Sequence, residues 1–570
     1  MADVKRLASI EKPWLQYYPE PLRNFVPAED TLTDFILKNN ARTDKEVVEF
    51  YGKTFTLDEI IAETDRVAKS FVSLGVKEND RIVVFLRAVP EFIFVLLAAE
   101  KIGAAILCHD GEPEEKAAAI ADADARVAVC FDFVSESEEE VFYKNSNLKK
   151  LVLVSPYTYA KREEIPDYVE NSIRSLYTEK SACNKNSIKW ADFLEIGEGV
   201  TVDVAVAKNP DRPLYCSYTS GSTGPSKQVL HTARTMNGVL GQLVIPGGIG
   251  FSLRVLHTLL PPALVAIVNS ILLYNIAQSN YLILDPFCEA EDIDLEFMRY
   301  KPNQMIAVPM MAEILMNSKR IPEDYPMNDL YVIGGGADPV HNKWLDNMQA
   351  FLRKHGSPAV FSMCYGLSEA GSTVANPHPN QNFKNCGGGV PMRGTIISVF
   401  EPGTQNELEY GEIGEICTSG PSSMIGYGTA LDTAKTLQRH PDGRIWVHTG
   451  DYGYMNETGE LFVLSRGLNK RFGGGILFTT VMENKVVEVK GLKDCFFVIT
   501  KDVQHDGCFL PYLYVVLEEG VTLSDVAGEI RSRLEVYEQP VDIFVVEKRE
   551  YFHFKTNRRI LAAKLLNGEH

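Results

Sequence analysis

Ile60, Ile61, Val67, Ala68, Phe71 and Leu74 recur at helical period behind Thr56-Leu-Asp-Glu59, a stretch with capping-box spacing, and Gly75 supplies a stop. A short apolar run (82–86) comes next, then a helix-like segment (91–102) and a second run (104–108). Another helix-like segment (114–121) leads to two further runs (127–131 and 151–154). The runs are apolar throughout and do not alternate, which marks strands buried on both faces. This order predicts a parallel sheet with helices on each side. Residues 136–211 are otherwise mixed and polar and predict irregular connection. From Leu214 the alternation resumes, with strand-like runs at 214–218, 281–284, 305–308, 330–333 and 359–364 and helix-like segments at 310–317 and 341–354. After about Gly387, short runs separated by Gly, Pro and Asn (395–400, 412–418) suggest an antiparallel sheet or small barrel. Runs at 496–500, 512–517 and 543–546, with a helix over 523–536, predict a small α+β lobe at the end.

One stretch tempts a membrane reading. Residues 255–284 contain no Asp, Glu, Lys or Arg, but Pro261-Pro262, Asn269, Asn275 and Gln278 interrupt them. The cleanest part, 264–277, is 14 residues long, and a membrane span needs about 20. A buried core helix is the expectation, with no transmembrane segment and at most peripheral membrane contact. At 570 residues the chain is too long for one core. Its charge of 57 − 76 = −19 argues against nucleic acid as a partner, so an anionic ligand needs a local site working against that field. The 10 cysteines form no C-x-x-C pair, and the start, Met-Ala-Asp-Val-Lys-Arg, lacks a signal-peptide core. A reduced, cytoplasmic protein is the economical reading.

The chemistry concentrates in a few segments. Tyr218-Thr-Ser-Gly-Ser-Thr-Gly-Pro-Ser-Lys-Gln-Val229 follows a strand and offers hydroxyls at Thr219, Ser220, Ser222 and Thr223, glycines at Gly221 and Gly224, and Lys227. Such a loop converges N–H groups, hydroxyls and an ammonium on a polyphosphate, although a Ser/Thr/Gly loop can also be a surface linker. It does not match the Walker A pattern. Cys364-Tyr-Gly-Leu-Ser-Glu369 follows another strand end, where open α/β sheets place ligands. Tyr365 can cover a purine there, and Ser368 and Glu369 can meet a phosphate and its Mg²⁺. Val447-His-Thr-Gly-Asp451 puts a carboxylate on a turn, able to accept from a vicinal diol, and Arg466 follows 15 residues later. Gly334-Gly-Gly-Ala337 is a further turn exposing backbone. Singly, each of the last three also reads as ordinary structure.

In this fixed order the segments resemble the adenylate-forming superfamily, which includes acyl-CoA ligases and nonribosomal-peptide adenylation domains. The similarity extends over nearly the whole chain. Lys12-Pro-Trp-Leu-Gln-Tyr-Tyr-Pro19 and Ile188-Lys-Trp-Ala-Asp-Phe-Leu194 resemble bacterial long-chain fatty acyl-CoA ligases. The resemblance implies an α/β fold: a large N-terminal domain (1–467) with two parallel-rich sheets and a small β-barrel, then a small mobile α+β C-terminal domain (468–570). It implies that 219–224 and Lys227 hold the ATP phosphates, with Thr223 and Lys227 acting in catalysis. Gly336, Ala337, Tyr365 and Gly366 would frame adenine, and Ser368 would touch the α-phosphate. Glu369 would hold Mg²⁺ and act in catalysis, Asp451 and Arg466 would grip the ribose, and Val463 would pack on the nucleoside. Gly473-Gly-Gly475 would line a thiol tunnel. The implied substrates are a small-molecule carboxylate, ATP and coenzyme A, joined through an acyl-AMP.

The chain departs from that pattern in places. Ser226 and Gln228 replace the usual Pro and Gly beside the lysine, and Leu264 stands where an aromatic or His is usual, which favours an aliphatic, medium- or long-chain acid. The hinge reads Gly467-Leu-Asn-Lys470. Near the end, Phe554-Lys-Thr-Asn-Arg-Arg-Ile-Leu561 lacks the Gly-Lys pair whose lysine serves adenylation in relatives. One register puts Arg559 at the lysine position, and a gapless one puts Ile560 there. Arg559 is the candidate catalytic cation. Two alternatives stay open: a ligase that loads a carrier protein, and a nucleotide-binding member with impaired adenylation.

Overall fold

The computed structural model describes residues 6–568 except 41, 145, 178–185, 203–207, 220–225, 245–251, 378–383 and 553. The non-alternating runs form the parallel strands expected of them. In one sheet the spatial order is Gly426–Tyr427, Gln228–Thr232, Pro213–Tyr218, Ala105–Cys108, Arg81–Phe85, Val127–Phe131, Lys150–Val154 and Ser187–Lys189. The six strands from Pro213–Tyr218 to Ser187–Lys189 run parallel, and the first two pair antiparallel. The second sheet runs Phe361–Met363, Val332–Gly335, Gln304–Ile306, Arg254–Thr258, Tyr281–Asp285, Glu46–Phe50, Lys53–Thr56, parallel except for its last hairpin. One apolar core joins the facing sides of both sheets, filled by Phe50, Phe71, Phe92, Phe94, Tyr215 and Phe287. Thr56 and Glu59 make the reciprocal capping box that starts the helix Leu57–Ser73.

The charge-free stretch is interior, as its length required. After the strand Arg254–Thr258, residues 265–277 make a helix whose middle, Val268–Leu273, widens to π geometry. No helix among the described residues is long and apolar enough to cross a membrane.

One expectation is corrected. Residues 136–211 are not irregular: besides the strand Lys150–Val154 they hold helices Glu136–Tyr143, Asp167–Leu176 and Trp190–Glu195. The first starts from a capping box, Ser135 with Glu138, but the only hydrophobic side chain it buries is Phe142, so its apolar period is too thin to read. The Gly/Pro-punctuated region forms an antiparallel sheet, ordered Tyr365–Leu367, Ser372–Asn376, Gly387–Pro391, Leu461–Arg466, Ile445–Met455, Gly414–Ser419, Ile396–Phe400. This antiparallel sheet is one of the two arrangements expected for the region, and among the described residues its first and last strands are not paired with each other.

The C-terminal part has its own core, with Leu477, Met482, Cys495, Phe497, Val515 and Ile530 beneath the strands Leu492–Lys501, Phe509–Leu517 and Ile543–Val545. It docks on the larger part through polar contacts and through Phe554, which packs against the larger core. Within the C-terminal part the Arg549 guanidinium grips Asp494 with Nε at 2.9 Å and a terminal nitrogen at 2.7 Å, and from the larger part His341 Nε2 lies 2.7 Å from the same carboxylate. Lys343 Nζ donates to Leu492 O at 2.7 Å. Burial alone would raise the Asp494 pKa, but Arg549 and His341 outweigh it and hold the carboxyl well below the usual range.

Asp494→Ala strands a buried guanidinium, so the protein should lose about 3–5 kcal/mol in urea denaturation. Asp494→Leu with Arg549→Leu should lose less, because no charge is left unpaired. Since the Asp494 pKa is lowered, its contribution is present above the ordinary aspartate pKa of about 3.9 and is lost as the pH falls below it. A single Ala variant as stable as the parent would refute this account of the buried ion pair.

Candidate active site

Strand ends and one strand pair bring the candidate residues together. Asp451 lies within the strand Ile445–Met455, not on a turn as the sequence suggested, and its registered partner on the next strand is Arg466. Arg466 Nε stands 3.9 Å from Asp451 Oδ1, and the Tyr365 hydroxyl donates to Oδ2 at 2.7 Å. Burial raises the Asp451 pKa, opposed by Arg466 and by the Tyr365 hydrogen bond. Val463 sits on the strand of Arg466 and packs with Tyr365 in one apolar cluster. Between them Gly388 leaves room: a Cβ there would meet Tyr365 Cβ and Val463 Cγ2, each at 3.2 Å.

The turn after the strand Val332–Gly335 lies alongside. At Gly336 a Cβ would stand 2.6 Å from Cys364 O, so only glycine allows this approach. Ala337 has φ +73°, a left-handed conformation that a non-glycine residue rarely takes and that clusters at functional sites. Asp338, next along, is 6% exposed. A Cβ at Gly366 would stand 2.4 Å from Ser372 O, so Gly366 too is set by close backbone packing.

Glu369 joins the base of the Ser/Thr/Gly loop through a residue the sequence reading passed over. The Tyr427 hydroxyl donates to Glu369 Oε1 at 2.6 Å, and Lys227 Nζ sits 4.9 Å from the centre of the Tyr427 ring. Lys227 Nζ is also 3.4 Å from Asp432. The loop is closed at its base, where Thr219 N–H donates to Lys227 O at 2.9 Å and Lys227 N–H donates to Thr219 Oγ1 at 3.0 Å. Ser220, Gly221, Ser222, Thr223 and Gly224 lie outside the described residues. Ser368 is held by its carbonyl, 2.8 Å from His231 Nε2. His231 is fully buried, which lowers its pKa to about 4 and keeps it neutral. Tyr427 and His231 each sit in short strands without a motif of their own, so only their neighbours in space mark them.

A second cluster buttresses the strand of Asp451. Glu415 Oε2, His448 Nδ1 and Cys417 Sγ lie within 4.8 Å of one another, a grouping that could hold a metal ion. Hydrogen bonds already close it: Glu415 accepts from Gly450 N–H at 3.1 Å and pairs with His448 Nδ1 at 2.9 Å, while His448 Nε2 meets His440 Nε2 at 2.9 Å. The network anchors Gly450, whose φ of +71° turns the backbone into Asp451.

The C-terminal segment divides its cations. Arg558 is engaged, with one nitrogen 3.0 Å from Asp338 Oδ1 and another 3.1 Å from Glu483 Oε1. Arg559, the sequence candidate, is exposed on the first turn of the helix Arg558–Leu566. Lys555 is part-buried like Arg558, burial disfavours its charged form, and the charges of Asp338, Arg466, Asp451 and Glu369 act on it. The Gly473–Gly475 turn takes φ of +87°, +114° and +86°, and a Cβ on Gly475 would stand 2.2 Å from the Tyr537 ring.

The family described as AMP-binding enzyme matches residues 37–428. A 4-coumarate–CoA ligase of Vanilla planifolia is 24% identical over 539 residues, covering 92% of this chain and 91% of the relative. A 4-coumarate–CoA ligase of Arabidopsis thaliana is 24% identical over 564 residues, covering 95% and 94%. Among solved structures, ATP-bound MatB from Rhodopseudomonas palustris has a TM-score of 0.75 at 18% identity, over 95% of this chain and 99% of that one. The anthranilate CoA ligase AuaEII with anthranoyl-AMP has a TM-score of 0.77 at 16% identity, over 95% and 99%. At such identities the structural likeness speaks for the fold.

Glu415→Ala removes the acceptor for Gly450 N–H and the partner of His448. Urea denaturation should register a loss of about 1–3 kcal/mol. An unchanged midpoint would remove this network from the support of Asp451.

Proposed function

Because the chain belongs to the AMP-binding enzyme family, we propose that it is an ATP-dependent acid–coenzyme A ligase working through an acyl-adenylate. The observation that carries the reading is a pair of contacting groups drawn from residues far apart in sequence, Tyr365–Asp451–Arg466 and Glu369–Tyr427–Lys227. The two are near enough that Glu369 acts to raise the Asp451 pKa and Arg466 acts to lower that of Tyr427. In this reading the Asp451 carboxylate accepts from the two ribose hydroxyls, with Arg466 opposite. Tyr365 covers adenine against Gly336, Ala337 and Gly366, and Val463 packs on the nucleoside. Ser368 meets the α-phosphate, and Lys227 with the 219–224 loop takes the β- and γ-phosphates.

Glu369 suits Mg²⁺, a hard ion taking oxygen ligands: one of its oxygens accepts from Tyr427, and the other has no donor among the described residues. When bound, the ion would neutralise charge on the phosphates.

In the first half-reaction an oxygen of the acid attacks the α-phosphorus, the bond to the β-phosphate breaks, and pyrophosphate leaves. In the second, the coenzyme A thiol, as thiolate, attacks the acyl carbon and AMP leaves. Residues 1–467 would hold acid and ATP. Residues 468–570 would turn about 467–470 between the steps and bring Gly473–Gly475 to the thiol.

For the acid we propose an aliphatic, medium- or long-chain carboxylate. The buried apolar helix over 265–277 and the aliphatic Leu264 support this. The names of the relatives include aryl acids, so the choice is open to direct test. The nine described cysteines, all free, agree with a reducing cytoplasm. The missing Gly-Lys pair favours one competing reading, a member that binds nucleotide but adenylates poorly.

ATP–pyrophosphate exchange over fatty acids of graded length, 4-coumarate and benzoate should be fastest with an aliphatic acid, and AMP release should then depend on coenzyme A. Faster exchange with an aryl acid would overturn the chain-length proposal. No exchange with any acid, alongside ATP binding, would overturn the ligase reading. Asp451→Ala should weaken ATP binding about 10–100-fold by calorimetry, through loss of charge-assisted hydrogen bonds. Unaltered affinity would take Asp451 out of the site.

A further inference from the structure

Tyr427 touches both charged groups at the base of the Ser/Thr/Gly loop, Glu369 and Lys227. Its place is set by backbone. The short strand Gly426–Tyr427 pairs antiparallel with Gln228–Thr232, Tyr427 opposite Val229, so the ring is carried beside Lys227. On the other side Tyr427 N–H donates to Thr433 Oγ1 at 2.8 Å, in the helix Ala430–Thr436. A Cβ on Gly426 would meet Thr433 Cγ2 and Oγ1, each at 3.0 Å, so the strand lies close against that helix. The ring itself is 8% exposed and packs with Val229 and Met424. Backbone and packing together leave it little room to turn.

From this fixed ring two different surfaces are offered. The hydroxyl donates to Glu369 Oε1 at 2.6 Å, and Met424 N–H donates to Glu369 O at 2.8 Å. Residues 424–427 therefore hold Glu369 by its side chain and by its backbone. The face of the ring, which carries the negative end of the quadrupole, takes Lys227, with Nζ 4.9 Å from the ring centre. Asp432 completes the resting place of that ammonium at 3.4 Å, its own carboxylate steadied by the Thr429 hydroxyl at 2.6 Å. With the lysine side chain 37% exposed, the Lys227–Asp432 pair is screened and weak.

The two contacts keep opposite charges apart. Paired with each other, Glu369 and Lys227 would cancel both the carboxylate that suits a cation and the ammonium that suits a phosphate. Tyr427 gives each a partner of its own, and neither partner is one that a multiply charged ligand cannot displace or spare.

We propose that Tyr427 is a positioning residue: its hydroxyl fixes Glu369 so that the second carboxylate oxygen can take the divalent cation, and its face, with Asp432, parks Lys227 until a polyphosphate draws the ammonium off. The proposal rests on the ligase reading above. No bond is made or broken by Tyr427. Nucleotide binding exchanges the Lys227–Asp432 pair for a phosphate contact, while the Tyr427–Glu369 hydrogen bond persists.

The test uses the full chain, with ATP binding read by calorimetry in the presence and absence of Mg²⁺. Tyr427→Phe keeps the ring and loses the hydroxyl. It should cut the tightening of ATP binding by Mg²⁺ about 10–100-fold, the usual cost when a carboxylate ligand loses its hydrogen-bond partner. ATP affinity without the ion, and the melting midpoint, should stay close to those of the parent. Half-saturating Mg²⁺ in ATP–pyrophosphate exchange should rise by a similar factor. Asp432→Asn should tighten metal-free ATP binding about two- to fivefold, because Lys227 is released from an exposed pair. The parent's Mg²⁺ dependence in Tyr427→Phe would overturn the role of the hydroxyl. Affinity lowered equally with and without the ion, or a fallen melting midpoint, would mark a structural role and overturn it as well. Metal-free binding unchanged or weakened in Asp432→Asn would overturn the parking of Lys227. A parent that binds ATP yet exchanges with no acid overturns the ligase reading, and the calorimetry still decides Tyr427. A parent that does not bind ATP overturns both.

Discussion

Asp338 is the joint on which the arrangement turns. Its buried carboxylate accepts from Thr556 on one oxygen and from Arg558 on the other. It belongs to the turn whose left-handed Ala337 and crowded Gly336 border Tyr365. One side chain therefore ties the small C-terminal part to the edge of the nucleotide-type cleft. This tie is ionic and hydrogen-bonded, and the C-terminal part keeps an apolar core of its own.

The cleft itself follows from strand geometry. The strands Ile445–Met455 and Leu461–Arg466 pair antiparallel, so Asp451 and Arg466 face one another by register, and the strand end at Tyr365 delivers a hydroxyl to the same carboxylate. Behind them Glu415, His448 and Thr449 fix the backbone: Thr449 Oγ1 accepts from Asp451 N–H at 3.0 Å and donates to Ile416 O at 2.6 Å. A carboxylate held on both sides has little freedom left to lose on accepting a ligand.

Much was legible along the chain. The runs at 82–86, 127–131 and 214–218 fell where buried parallel strands lie, because burial on both faces leaves an unbroken apolar signature. The capping box at Thr56 read correctly because a cap is a local, three-residue device. The helices between 136 and 195 escaped notice because each buries only a few apolar side chains, with charged residues covering the rest. Asp451 was expected on a turn because Gly450 precedes it, yet that glycine bends a long strand without ending it. Tyr427 and His231 went unmarked because each acts through one partner that is distant in sequence.

The sequence by itself determined the kinds of layers, the family pattern of Thr219, Tyr365, Glu369, Asp451 and Arg466, and the absence of a Gly-Lys pair, since all of these depend on local order and residue identity. Only the tertiary structure decided how the three cations near the end are placed. Lys555, Arg558 and Arg559 are within five residues of each other and equally basic on paper. Their roles diverge because a hairpin pinned to Asp338 buries one, a two-carboxylate bridge engages the second, and a helix turn exposes the third.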